Sequence, residues 1–367
     1  MDSQDYDLLV IGSGPAGQKA AIAAAKMRKK VVMVDRKKEI GGVCVHTGTI
    51  PSKTFREAVL YLTGISQRAF YGKDYVVKER IQMNDLMFRV NAVVQREHEV
   101  ISSQLRRNQV AIMDGHARFL NQHTIEVSAT NSNEPPTLVQ AENILIACGT
   151  RPAHSPMIPL DGKRIFDSDM LPDMQNLPRE LIVVGAGVVG LEFASMFAAL
   201  DVEVTLVDQR PMLLDFADRE IIESLCYQLR RRNTTFRLGE KVTSVEVDKE
   251  RNRLNVKMES GKILHGDAML YTVGRQANTD TLAIENTGIT LESRGQLKVN
   301  EYFQTEVPNI YAAGDVIGFP ALANRSSDRR RGGTLRQGES TLFHVVSGAY
   351  EVRCAAAEPV ATPRSLS

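Results

Sequence analysis

The chain has 367 residues, 43% of them apolar and 24% charged, and 45 Lys and Arg against 44 Asp and Glu leave a net charge of +1. Such a length predicts two or three domains, and near-neutrality gives no global field to draw in nucleic acid or an anionic membrane. Four cysteines (Cys44, Cys148, Cys226, Cys354) are too few and too scattered for a disulfide framework or zinc cluster, and the acidic Met-Asp-Ser-Gln-Asp start is unlike a secretory signal. No apolar run reaches the ~20 residues of a membrane span. A cytoplasmic α/β enzyme is the expectation.

Residues 7–11, Asp-Leu-Leu-Val-Ile, predict a buried strand. Gly12-Ser-Gly14-Pro-Ala-Gly17 follows, then an Ala-rich helical stretch from Gln18 to Met27 and a second strand, Val31–Val34, ending at Asp35. The same order returns at Leu181–Val184, with Gly185-Ala-Gly187-Val-Val-Gly190, a helical stretch from Leu191 to Leu200 and a strand from Val202 to Val207 ending at Asp208. The separation of the first glycines, Gly12 and Gly185, equals that of the acids, Asp35 and Asp208. Matching offsets predict two nucleotide-binding βαβ units. In each, the first glycine allows a tight turn, the second lets backbone approach a diphosphate, and the third lets helix pack on strand. The helix N-terminus then holds the diphosphate. Asp35 or Asp208, each at the same distance past its middle glycine (14 to 35, 187 to 208), accepts hydrogen bonds from a ribose.

A helical region spans roughly Ile50–Leu105, a β-rich patch Val110–Val139, and Asn131–Pro136 reads as a hairpin tip or loop. Asn143–Gly149, which includes Cys148, predicts another strand. Segments Ser244–Val247 and Leu254–Met258 predict a meander, Leu270–Arg275 a closing strand, and Asn309–Asp315 a buried strand with a glycine-acid end.

These motifs resemble the flavin-dependent pyridine nucleotide oxidoreductases of the glutathione reductase and lipoamide dehydrogenase superfamily. The similarity rests on the two glycine sets, Gly41-Gly42-Val-Cys44-Val-His46-Thr-Gly-Thr49-Ile-Pro-Ser-Lys53, Glu192, Gly274-Arg275 and Ala312-Ala-Gly314-Asp315, over about residues 5–323. The FAD-containing soluble transhydrogenases are its most similar branch. The resemblance implies two Rossmann-like α/β domains, with the NAD(P) domain inserted in the FAD domain. FAD would be bound by Gly12, Gly14, Gly17, Asp35, Gly42, Gly149, Gly314 and Asp315. NAD(P) would be bound by Gly185, Gly187, Gly190, Asp208, Arg210, Gly274 and Arg275. The expected layout is 1–150 (FAD domain, first part), 151–275 (NAD(P) domain), 276–323 (FAD domain, return) and 324–367 (tail).

Disulfide reductases of this superfamily carry two cysteines five positions apart. Here Cys44 faces Thr49 at that spacing, and a hydroxyl can form neither disulfide nor thiolate. The resemblance therefore implies hydride exchange between NADPH and NAD+ through FAD alone, the Si-specific transhydrogenase reaction. Lys53, paired with Glu192, would supply positive charge to the flavin, and Cys44, Thr49, Lys53 and Glu192 are the candidate catalytic residues. Asp208 favours the 2′-OH of NAD, whereas Arg210, supported by Arg275, suits the 2′-phosphate of NADP. His98, His116, His123 and His154 form no i, i+4 metal pair, so no metal site is assigned. Two other readings fit these residues: an NAD(P)H-dependent flavin oxidoreductase with oxygen or a quinone as acceptor, and an inactive dinucleotide-binding fragment.

From Asn324 the motifs stop, and the stretch 324–367 carries seven arginines and no lysine. Family members continue into an interface domain that forms a homodimer. The expectation is an aberrant, disordered tail lacking that domain, with oligomerisation and activity impaired; a genuine basic interaction arm is the other reading. Expected partners are small-molecule nicotinamide dinucleotides, not nucleic acid or membrane.

Overall fold

A computed structural model describes residues 4–318, apart from 73, 131–134 and 249. The tail 324–367, the end of the expected return segment and most of the loop predicted at Asn131–Pro136 lie outside the described residues. The chain divides into two compact units. The first comprises residues up to 44, 96–150 and from 276; the second comprises 45–95 and 151–275.

In the first unit, strand Gln4–Ile11 lies between Val31–Asp35 and Thr137–Ile146, and Ala111–Asp114 pairs with the outer edge of Val31–Asp35. These pairings are parallel, in the register Val10 opposite Met33 and Leu145. The ten-residue strand Thr137–Ile146 serves two neighbours. Its first half takes Thr124–Ser128 antiparallel, and its last residues take Ile310–Ala312 parallel. Leu9, Ile11, Val32, Val34, Ile144 and Ile146 join one apolar cluster, while Leu8, Val10, Met33 and Leu145 are also buried. Both faces are thus covered, which is why these strands are continuously apolar rather than alternating. Helix Pro15–Lys26 buries Ala20, Ala21 and Ala24.

The second unit repeats the arrangement. Its parallel strands run Thr234–Leu238, Glu203–Asp208, Glu180–Val184, Ala268–Tyr271, Ile165–Asp167. Period-two alternation divides the labour of the central strand. Leu181 and Val183 join a core with helix Val188–Ala199, whereas Ile182 and Val184 pack with Val245, Leu254, Val256 and Met258 of an antiparallel meander. That meander has a third strand, Ile263–Gly266, beyond the two expected.

Three details differ from the sequence expectation. Residues 45–95 pack with the second unit, not within a 1–150 domain, because Phe55, Val59, Leu86 and Val90 share the core of Phe193 and Phe197. The helical region is broken into Thr49–Leu62, two short turns and Met83–Arg107, with Gly64 (φ +65°) and Gly72 (φ +96°) in left-handed conformations that end helices. Strand Thr137–Ile146 stops before Cys148, and Arg275 opens a separate two-stranded ribbon, Thr150–Pro152 with Arg275–Ala277. Through this ribbon the chain leaves the first unit and returns to it.

Phe55 and Phe197 are almost fully buried, their ring centroids 6.1 Å apart. Phe55→Ala is expected to destabilise the second unit by about 3–5 kcal/mol in urea unfolding, through lost burial and the cavity left behind.

Candidate functional site

Each unit builds its turn in the same way. Strand Gln4–Ile11 ends at Gly12, whose φ of +106° few side chains tolerate, and a Cβ there would lie 2.4 Å from the Ala147 carbonyl oxygen. A Cβ on Gly17 would lie 2.1 Å from the Gly12 carbonyl oxygen, so the helix rests directly on the turn. Gly185 (φ +103°) and Gly190 repeat this, with 1.9 Å from a Gly190 Cβ to the Gly185 oxygen. By contrast, a Cβ at Gly14 or Gly187 would meet nothing within 4 Å.

Gly14 and Gly187 are also the helix N-caps. Neither helix has a side-chain cap or an acid in its first turn. Helix Arg219–Arg230 is built the ordinary way, with Asp218 accepting from the N–H groups of Glu220 and Ile221 and Glu220 in the first turn. The two glycine-turn helices therefore keep their first N–H groups and partial positive charge available to an anion approaching over an open glycine.

The acids close the turns from the neighbouring strand. Asp35 Oδ2 accepts from the Ser13 N–H (2.7 Å) and Oδ1 from the Lys37 N–H (2.9 Å). Asp208 Oδ2 accepts from the Ala186 N–H (2.6 Å) and Oδ1 from the Arg210 N–H (2.8 Å). Asp208 also holds a guanidinium: Arg210 donates through Nε (3.0 Å) and Nη2 (2.8 Å). Burial pushes the Asp208 carboxyl up, but hydrogen bonds from the Arg210 side chain and from the Arg210 and Ala186 backbone outweigh it and hold the carboxyl below the ordinary range. The same pairing raises Arg210.

In the first unit, distant stretches converge on the start of helix Pro15–Lys26. A Cβ on Gly42 would lie 2.8 Å from Gly14 Cα, and the Gly41 N–H donates to Ser13 Oγ (3.0 Å). Gly314 (φ +83°) passes Ala16 and leads into the turn Asp315–Ile317. Asn278 donates its N–H to the Gly149 oxygen (3.1 Å) and its Nδ2 to the Cys148 oxygen (3.0 Å). A cavity of about 60 Å³ beside the turn is lined by residues including Gly12, Asp35, His116, Cys148 and Asn278. Burial pushes the Cys148 thiol up to about 12, so it stays protonated. Cys44 lies on the short helix Gly42–His46.

In the second unit, Lys53 pairs with Glu192 Oε1. The packing of Phe55 on Phe197 fixes helix Thr49–Leu62 against helix Val188–Ala199 and so brings these two side chains together. Thr49 is the first residue of its helix, separated from the helix of Cys44 by the break at Thr47–Gly48. Arg275 reaches Asp169 (3.3 Å), and Gly274 has φ +85°. Sequence reasoning missed Ser13, Asn278 and Thr272, whose Oγ1 donates toward the Val184 (3.0 Å) and Gly185 (2.9 Å) oxygens. Thr272 lies two residues before Gly274 in a run already singled out, and this was the available signal.

Two glycine-turn units, each closed by an aspartate, define a two-dinucleotide α/β oxidoreductase scaffold. The chain belongs to the pyridine nucleotide-disulphide oxidoreductase family, which matches residues 6–330. It is 49% identical over 328 residues to the soluble pyridine nucleotide transhydrogenase of Mycobacterium tuberculosis (strain ATCC 25177 / H37Ra), covering 89% of this chain and 69% of that protein. The Klebsiella pneumoniae protein of the same name is 39% identical over 356 residues, 95% of this chain and 75% of that protein. Similarity thus extends past Ala323, where the recognisable motifs end. Among solved structures, LpdA from Mycobacterium tuberculosis matches with a TM-score of 0.79 at 26% identity, over 98% of this chain and 74% of that one. The HOCl-induced flavoprotein disulfide reductase RclA from Escherichia coli matches at 0.76 and 26%, over 94% and 69%. Among the described residues no helix is long and apolar enough to cross a membrane.

Gly190→Ala is expected to cost about 1–3 kcal/mol in chemical denaturation, because the clash is with backbone. Gly187→Ala, at φ −75° and facing open space, should cost less, about 0.5–1 kcal/mol, the preference for glycine over alanine at a helix N-cap. Asp208, with its lowered carboxyl, contributes stability that is present above its unfolded pKa and lost as pH falls through the folded value. Asp208→Asn should therefore be less stable than the parent at neutral pH, and urea midpoints measured down an acid series should converge.

Proposed function

We propose that the chain is an FAD-dependent transhydrogenase of the Si-specific type, exchanging hydride between NADPH and NAD+ in the cytoplasm. The observation that carries this reading is Thr49, five positions after Cys44, in a chain 49% identical to proteins named transhydrogenases. FAD, when bound, supplies a ring that takes a hydride from one nicotinamide and yields it to another. The first unit would suit FAD: its uncapped helix start and open Gly14 favour a diphosphate, and Gly42 and Gly314 approach Gly14 and Ala16 at that start. The second unit offers the same open glycine and uncapped helix to NAD(P).

The chain's own residues bind and orient. Glu192 holds Lys53 in place as a fixed cation, which stabilises negative charge developing nearby. Arg210 neutralises Asp208, removing the repulsion that a bare carboxylate exerts on a 2′-phosphate, and an unphosphorylated ribose reaches Asp208 by displacing one of the Arg210 side-chain hydrogen bonds. That pairing suits a site that must admit both dinucleotides in turn.

The test is an assay of the FAD-supplemented chain with NADPH and thio-NAD+. FAD-dependent thio-NAD+ reduction is expected, and reduction of glutathione disulfide or lipoamide in its place would overturn the reading. Lys53→Ala should keep the visible flavin absorbance of the purified protein and lose about a hundredfold in hydride-transfer rate by stopped flow. Arg210→Ala should raise KM for NADPH roughly tenfold, the size of one lost charge-assisted contact, with KM for NADH little changed.

A further inference from the structure

The parallel sheet of the second unit has two ends. Gly185 and Asp208 occupy the end where its strands finish; at the other, where Glu180 and Ala268 begin their strands, lies a cleft of about 740 Å³. That volume is in the range that admits a small molecule. Five cations line the cleft: Lys163, Arg164, Arg179, Arg251 and Arg253.

Two carboxylates share the lining, and both are occupied from within. Glu180 takes the Arg253 guanidinium, and Asp267 Oδ2 accepts the N–H groups of Arg179 (3.0 Å) and Glu180 (3.1 Å). Arg164 is fixed by donating to the Asn252 backbone oxygen (2.6 Å) and to Asn252 Oδ1. Beside the lining, Asp161 accepts the backbone N–H groups of Lys163 and Arg164 (2.8 Å each) and Asp248 that of Arg251 (3.0 Å), so these acids offset part of the charge. Among the described residues no ion pair takes Lys163, Arg179 or Arg251, and the Nε of Arg253 is buried without a hydrogen-bond partner. A concave surface with excess charge of one sign concentrates counter-ions, and planar guanidinium groups match phosphate oxygens in pairs.

We propose that this cleft is a second small-molecule site, binding a compact oligophosphate at the sheet end opposite the dinucleotide turn. Arg164 and Arg253, held by their protein partners, form a rigid floor; Lys163, Arg179 and Arg251 close on the anion from the exposed rim. The inference is independent of the hydride chemistry proposed above.

The probe is inorganic pyrophosphate, titrated calorimetrically into the full chain with FAD, NAD+ and NADP+ present in excess to fill the dinucleotide sites. Saturable binding is expected, and the double variant Arg179→Gln/Arg251→Gln should weaken it by roughly tenfold or more without altering NADP+ affinity or the circular dichroism spectrum. Lys163→Glu, a single exposed change, gives a second variant expected to weaken binding in the same direction. No saturable binding up to about 1 mM would overturn the proposal, as would pyrophosphate binding that both variants leave intact.

Discussion

One hydrogen bond, made twice, holds the architecture in register. The N–H that follows the first glycine of each turn donates to an aspartate at the end of the next parallel strand, Ser13 to Asp35 and Ala186 to Asp208. The bond ties the floor of the turn to the sheet, so the helix that starts two residues later cannot drift from the strand edge. It also uses one carboxylate oxygen of each acid. An acid in this position is therefore a structural part before it is a ligand, and its removal loosens the turn even with no nucleotide bound.

The twin units diverge where their charges are balanced. Among the described residues Asp35 is held by backbone N–H groups, whereas Asp208 is gripped by Arg210 as well. The second turn thus presents a paired ion rather than a bare negative charge. Helix placement follows the same economy. Phe55 and Phe197 set the spacing of two helices, and the Lys53–Glu192 pair results from that spacing rather than enforcing it, since an ion pair with a largely exposed lysine contributes little stability of its own.

Much of this was legible in the residues because glycine turns followed by helices have few physical solutions. The strands around Gly12 and Gly185, the two helices and the two acids follow from apolar runs and spacing. What stayed hidden depended on contacts between distant segments. That Phe55 and Leu86 belong to the core of Phe197 is invisible to local periodicity, which reports that a face is apolar but not what covers it. The turn-closing role of the acids was hidden for a related reason: a carboxylate at the end of the strand after a glycine turn suits both a ribose and a backbone N–H. Thr272 and Asn278 were missed because one hydroxyl or amide within a strand end or loop carries no pattern. The occupied end of Arg275, on Asp169, likewise became visible only when the chain was folded.

The mixed ancestry of the second core has a consequence for biosynthesis. Phe55 is made long before Phe197, the ring it packs on. At roughly 5–20 residues per second, translation from one to the other leaves that aromatic face uncovered for roughly 7–30 s on every ribosome. The nascent helices of residues 49–107 must wait, apolar side outward, while the first glycine-turn unit is still incomplete. Chaperone demand should therefore peak in the middle of translation.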